Sequence, residues 1–185
     1  MGKLLAFVSG IAFIAGIYWG SPYFAAHRAL DAAESADLDQ LARYTDMQSV
    51  RANLKRDLTH RVGPRLIGAI TQLPFGDIGV VVLDRAIDAV LDDLVTQRAI
   101  AKLLQGRQPH HVFNQASPTS RPAKLRPEVA WEYGEDRDHF WLAVSSSLNS
   151  DKPVRFLFHR DGFATWRIIA IILPNPAILL SLVLD

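Results

Sequence analysis

The sequence predicts an α+β fold: an N-terminal transmembrane helix, then a helical segment, then a four-stranded antiparallel sheet. Three observations lead there. Residues Leu4–Gly20 carry no charged side chain. From Leu38 to Gly106 apolar residues recur at helical spacing. From Glu128 the period changes to two and is punctuated by turn-forming residues. Helices followed by a run of strands is the α+β order.

The charge-free run gives roughly 25 Å of helix. Crossing the hydrocarbon core takes about 20 residues, and Ser21–Ala26 supply the missing length. Tyr18, Trp19 and Tyr23 gather at one end, where amphipathic rings favour the headgroup level. A cleaved signal peptide fits less well. Cutting after Ala26 or Ala25 puts Phe24 or Tyr23 where a small residue is wanted. Lys3, set against Arg28, Asp31 and Glu34 on the other flank, leans toward a cytoplasmic N-terminus. Ala12, Gly16 and Gly20 form a small-residue ladder through which two anchors could pair as a homodimer.

Ser21-Pro22 reads as a helix cap with proline at the first helical position, the helix running on to about Ser35. Asp37 with Gln40 resembles a capping box for a short helix over Leu38, Leu41 and Tyr44. Asp46 can cap the next helix, whose stripe is Met47, Val50, Leu54 and Leu58. Gly63-Pro64 stops it. Another helix ends near Leu73, and Pro74–Asp77 is a break. Val80, Leu83, Ile87, Val90, Leu91 and Leu94 form the best apolar face. Thr96 starts a last helix over Ile100, Leu103 and Leu104, ended by Gly106.

Residues 107–127 carry Pro109, Pro118, Pro122 and Pro127, with Arg107, Arg121, Lys124 and Arg126 and no acid. They read as a basic loop. Beyond it Val129, Trp131 and Tyr133 alternate, and Gly134–Arg137 turns the chain. Phe140, Leu142 and Val144 alternate, and Asn149-Ser150-Asp151 turns again. Phe156 and Phe158 share a face, and Asp161-Gly162 signals a hairpin. The last strand is expected from Phe163 to Leu173. Pro174 and Pro176 interrupt the apolar C-terminal run, so the tail is expected to cover an apolar surface. The division is therefore 1–26 anchor, 27–106 helical part, 107–127 basic loop, 128–174 meander and 175–185 tail, with 27–185 as one domain.

Composition excludes several functions. Among 185 residues there is no cysteine, so no disulfide scaffold, thiolate metal site or cysteine nucleophile. A net charge of +1 argues against a nucleic-acid partner. Asp84, Asp88 and Asp92 share one helical face and could present oxygens to a hard cation, but opposite an apolar face they read as solvated, offset by Arg85 and Arg98. His110-His111 lack further ligands at zinc-like spacing. His60, His139 and His159 show no acid–nucleophile pattern, and Ser145–Ser147 lack a nucleophile elbow. Glu132 and Glu135 flank an exposed turn. No catalytic residue, cofactor or metal is expected. The basic residues Arg107, Arg121, Lys124 and Arg126 could meet anionic lipid. Trp131, Trp141 or Trp166 could line an open groove, because both faces of a meander cannot meet one helix layer.

Several stretches carry a family resemblance. They are Ala29–Ala33, Ala36–Leu41, Tyr44-Thr45-Asp46, Val50-Arg51 and Leu54-Lys55. Further on come Leu94-Val95-Thr96, Leu103–Gly106, Phe158–Gly162, Trp166-Arg167-Ile168 and Leu173-Pro174. Together they resemble the bacterial family catalogued as domain of unknown function 2939. The resemblance implies a bacterial inner-membrane protein with an exported, periplasmic domain, and it brings no activity with it. Helices on a bent antiparallel sheet are also similar to cone-shaped folds of the nuclear-transport-factor kind, by analogy only. The functional expectation is a non-catalytic binding or scaffolding role in the cell envelope, with an envelope protein as partner. The alternative is binding or transfer of a lipid or other apolar ligand between sheet and helices. An enzyme with an unrecognised site comes third.

Overall fold

The computed structural model describes residues 2–61, 85, 87–89, 91–113, 127–134, 136–146 and 149–175, with side-chain surroundings for all of these but 2–8, 11, 146 and 149–152. Helix α1 spans Gly2–Glu34, α2 Leu38–Arg43 and α3 Met47–Arg61. Residues 87–89 and 91–94 are helical. Then come α4 (Gln97–Leu104), α5 (Pro109–Phe113) and strands β1 (Glu128–Tyr133), β2 (His139–Ser146), β3 (Asn149–Arg160) and β4 (Trp166–Ile172). The sheet order is β1-β2-β3-β4 with every neighbour antiparallel, the expected meander.

One face of the sheet meets the helices. Phe140, Leu142, Phe156, Phe158, Trp166 and Ile168 are buried on it, against Leu41, Val50, Leu54, Leu58, Ile100, Leu103 and Leu104 from the helices. Helix α1 contributes a stripe of alanines, Ala25, Ala26, Ala29, Ala32 and Ala33, all buried. Small side chains let its backbone lie close to its neighbours, and it packs against α2, α4 and β4. Helix α3 packs along β4 with Val50, Leu54 and Leu58 inward, the expected stripe.

The free edge of β4 is covered by the link between α2 and α3. Ile168 donates its N–H to the Tyr44 carbonyl at 2.7 Å, and Asp46 donates to the Ile168 carbonyl at 2.9 Å. The register shifts beside Leu157 and Phe158, and at the neighbouring Ile169 the Asn53 amide donates to the carbonyl at 2.9 Å. Unpaired edge groups invite association with other chains, and these contacts remove part of that template.

The caps follow the sequence closely. Asp37 accepts from the Gln40 N–H at 2.9 Å and opens α2. Asp46 accepts from both the N–H and the hydroxyl of Ser49 at the start of α3. Thr96 accepts from the Ala99 N–H and opens α4. Helices α1 and α4 end alike, through paired bonds onto the last turn. Ala36 N–H reaches the Ala33 carbonyl and Asp37 N–H the Ala32 carbonyl; Gly106 N–H reaches Leu103 and Arg107 N–H reaches Lys102. Both ends need a left-handed residue, and it is Ala36 at φ 56° in one and Gly106 at φ 77° in the other.

Several expectations change. Pro22 does not open a helix; it lies inside α1. Residues 107–127 are not all loop, because α5 occupies Pro109–Phe113. Asn149–Asp151 are strand rather than turn, and β4 begins at Trp166, leaving Phe163 in the turn before it. Among the described residues no helix is long and apolar enough to cross a membrane. Ser21, Pro22, Ala25 and Ala26, counted above toward a span, are buried in the domain core instead. The expected features at Gly63-Pro64, Leu73, Pro74–Asp77, Val80, Leu83 and Val90, and the tail beyond Asn175, lie outside the described residues.

Two predictions follow from the helix ends. Ala36→Gly relieves a left-handed alanine and raises stability by about 0.5–1 kcal/mol, whereas Gly106→Ala lowers it by about 2 kcal/mol. The Gly106 substitution also sets a Cβ 2.9 Å from that of Pro127. Urea unfolding measures both. At the α3 cap, hydrogen bonds from Ser49 hold the Asp46 carboxyl below its ordinary value of 3.8. A lowered native pKa stabilises above the unfolded value, and that stability is lost as pH falls through the native one. Asp46→Asn keeps an acceptor and flattens the acid slope of stability below about pH 4.

Candidate functional site

The most unusual chemistry gathers where α1 leaves the domain. Proline at position 22 has no N–H, so the Tyr18 carbonyl four residues earlier loses its helical partner. The Ser21 hydroxyl replaces it, donating to Tyr18 at 2.9 Å. The same hydroxyl accepts the indole N–H of Trp166 at 2.8 Å, across 145 positions of sequence and out of contact with water. The next carbonyl, that of Trp19, accepts the Tyr133 hydroxyl at 2.7 Å. Two carbonyls at the proline are thus tied to the chain by hydroxyls, and one tie reaches β1 directly. Burial pushes the Tyr133 phenol above its ordinary ionisation, Tyr23 adds to this, and Arg160 opposes it.

Arg160 closes the arrangement. Its guanidinium lies 3.9 Å from the Tyr18 ring centroid and 4.3 Å from that of Trp166. It donates to the Phe163 carbonyl at 2.8 Å and pairs with Asp138 at 3.2 Å. Only 8% of the side chain is exposed. A cation between two aromatic faces joins α1, the β1–β2 turn and the β3–β4 turn, although its Nε makes no hydrogen bond.

Around this buried joint the surface is apolar. Among the described residues the exposed large hydrophobic side chains are Phe13, Ile14, Ile17, Trp19, Tyr23, Phe24 and Phe163. Six of these belong to α1. The seventh, Phe163, packs on Tyr18 at 5.6 Å between ring centroids. Arg137 lies over Trp19 at 5.5 Å and Arg28 over Phe24 at 5.1 Å. Scattered exposed apolar residues are ordinary, whereas six on one helix are a concentration.

The residues singled out from sequence do not converge on one groove. Trp166 is fully buried under the helices and lines no open surface, because its N–H is held by Ser21 and its ring by Arg160. Trp131 is half-buried on the same face, against Tyr23 at 5.9 Å and His27 at 5.3 Å. Trp141 stands on the other face beneath Arg155 at 4.7 Å, and Arg155 pairs with Glu132 at 3.1 Å. Arg107 is half-buried just past the end of α4. Arg121, Lys124 and Arg126 lie outside the described residues, as do Asp84, Glu135 and Ser147. Ala12, Gly16 and Gly20 are exposed.

Among the described residues α3 supplies cations to the acidic face. Lys55 reaches Asp88 at 2.7 Å and Arg51 reaches Asp92 at 3.0 Å. His110 and His111 sit in α5 with rings 3.9 Å apart; burial, then its neighbour, lowers the His110 pKa. His139 is held by Asp136 at 2.7 Å. Among the described residues no three histidine, aspartate or glutamate side chains form a metal-holding group. A small apolar recess with a cavity volume of about 10 Å³ lies between α3, α4 and the end of β4, lined by Leu54, Val95, Ile100, Leu103, Phe113 and Leu173 among others.

Sequence reasoning missed Ser21, Arg160 and Phe163. A serine beside a proline inside a continuing apolar helix is a usable signal for the first. The other two are defined by neighbours far away in sequence. Ser21→Ala strands the Tyr18 carbonyl and the Trp166 N–H together and lowers stability by about 2–3 kcal/mol. In a double variant with Trp166→Phe the two losses are not additive, which urea unfolding of the four proteins measures.

Comparison with curated proteins and with solved structures gives no match. Residues 11–103 match one family, a stretch running from within the protruding part of α1 through most of α4; the likeness noted at Phe158–Pro174 falls outside it. The chain belongs to the family described as Protein of unknown function (DUF2939).

Proposed function

We propose that this protein is attached to the bacterial inner membrane through α1, its N-terminus cytoplasmic and its folded domain periplasmic. There it has a non-catalytic binding or scaffolding role toward an envelope protein. The observation that carries the membrane reading is that, among the described residues, the exposed large hydrophobic side chains lie on α1 and the turn touching it. Tyr18, Trp19 and Tyr23 mark the headgroup level. Lys3 on the amino side supports the orientation, and the absence of cysteine suits an oxidising compartment without bridges.

We read the packing of helices on one face of a bulged meander as cone-shaped, of the nuclear-transport-factor kind, an analogy that names no ligand. Carriage of an apolar ligand is the second reading, favoured by the recess beside Phe113. At about 10 Å³ that recess is far below the ~300–1,000 Å³ of ordinary small-molecule sites, so scaffolding leads.

Phe13 and Ile17 are exposed and make no core contact, so Phe13→Asp with Ile17→Asp leaves the fold intact. Each aspartate costs about 3 kcal/mol at the centre of a membrane helix. The double variant moves from the carbonate-washed membrane pellet to the soluble fraction, while the parent stays in the pellet. A parent protein that washes off overturns the membrane reading. In-cell crosslinking through the domain yields a discrete adduct with one envelope protein; a monomer throughout argues against scaffolding.

A further inference from the structure

The β3–β4 turn is a second point of membrane contact, and its position follows from how α1 is divided. The charge-free run begins at Leu4, but the domain holds the helix from Tyr18 onward through Arg160, Ser21 and Tyr133. Residues 4–17 are left, about 21 Å of helix. A hydrocarbon core is about 30 Å thick. A helix this short reaches across only when the bilayer thins around it or when the folded domain is drawn down onto the surface. In the second case whatever lies level with Trp19 enters the interface.

What lies there is the turn Asp161–Thr165. Phe163 stands 59% exposed at its tip, in contact with Tyr18. The turn is closed by the Asp161 N–H donating to the Thr165 carbonyl at 2.8 Å, and its base is fixed by Arg160 on the Phe163 carbonyl. A rigid turn that holds a phenylalanine outward gains little from water and much from an interface. Trp19, half exposed beneath Arg137, has the composition of an interfacial belt.

Resting on the membrane reading above, we propose that Phe163 inserts into the bilayer interface beside Trp19 and seats the domain flush on the membrane. The partner is the lipid surface itself. The two turns and their bases carry Arg137 and Arg160 against Glu135, Asp136, Asp138 and Asp161 in the sequence, so the contact is apolar rather than a response to anionic headgroups.

The absence of native cysteine makes the test clean. Single variants Phe163→Cys, Ala164→Cys, Phe13→Cys and Thr59→Cys of the full chain are labelled with an environment-sensitive fluorophore. They are reconstituted in vesicles of phosphatidylethanolamine and phosphatidylglycerol with nitroxide lipids. The labels at 163 and 164 shift to the blue and are quenched several-fold more strongly than the label at Thr59, exposed on α3, and the phosphatidylglycerol content does not change this. If position 13 is quenched while 163 and 164 match position 59, the turn stands off the membrane and the proposal fails, although α1 is embedded. If position 13 also stays aqueous, the membrane reading itself fails. If position 163 is shielded only as protein concentration rises, a second copy covers it and the lipid contact is wrong.

Discussion

One hydroxyl decides how this chain is arranged. Pro22 leaves the Tyr18 carbonyl without its helical donor, and a helix broken there could bend away from the domain. The Ser21 side chain fills the gap and in the same place accepts the Trp166 N–H, inside the core. Either bond alone would be modest. Their loss in a buried setting is costly, because an unpaired carbonyl and an unpaired indole N–H would both lack water. The arrangement fixes α1 to the far end of the sequence, at the first residue of β4. Arg160 then stacks on the same tryptophan and on Tyr18, so the joint is held by a hydrogen bond and by a cation between rings.

From that joint the rest of the layout follows. C-terminal to it, the alanine stripe of α1 lies in the core and lets α2 and α4 approach. N-terminal to it, the same helix carries Phe13, Ile14 and Ile17 on its exposed surface. A single helix is therefore both core element and projecting element, with the boundary at Tyr18–Ser21. The β3–β4 turn is placed beside that boundary because Arg160, at the end of β3, must reach Tyr18. Fold stability and the position of the apolar surface have one cause.

Much of this was legible in the sequence, and the unreadable parts have physical reasons. Capping aspartates and Thr96 speak through their own neighbours, and the period-two strands speak through alternation, so α2, α3, α4 and the meander could be read locally. The α1 stripe is alanine, which carries little hydropathy, so its burial was hidden beside the more apolar run before it. That is why Ser21–Ala26 read as membrane length rather than core. Trp166 read as a groove residue because its acceptor lies at the other end of the chain. The acidic face at Asp88 and Asp92 read as solvated and both are exposed, but its cations Lys55 and Arg51 could not be read because they sit on another helix. Phe163 read as strand because the hairpin signal was the dipeptide Asp161-Gly162, whereas the turn runs on through Thr165, three residues further.

The division of α1 is the claim on which both the membrane reading and the seating of the domain depend. Amide hydrogen exchange across the full chain tests it most directly, since cooperative units exchange together. The account predicts that residues 25–33 exchange at the slow, global rate of β3 and β4, and that residues 9–17 do not share that unit. If residues 25–33 instead opened together with 9–17 and independently of the sheet, α1 would be a separate helix merely resting on the domain, contradicting the account.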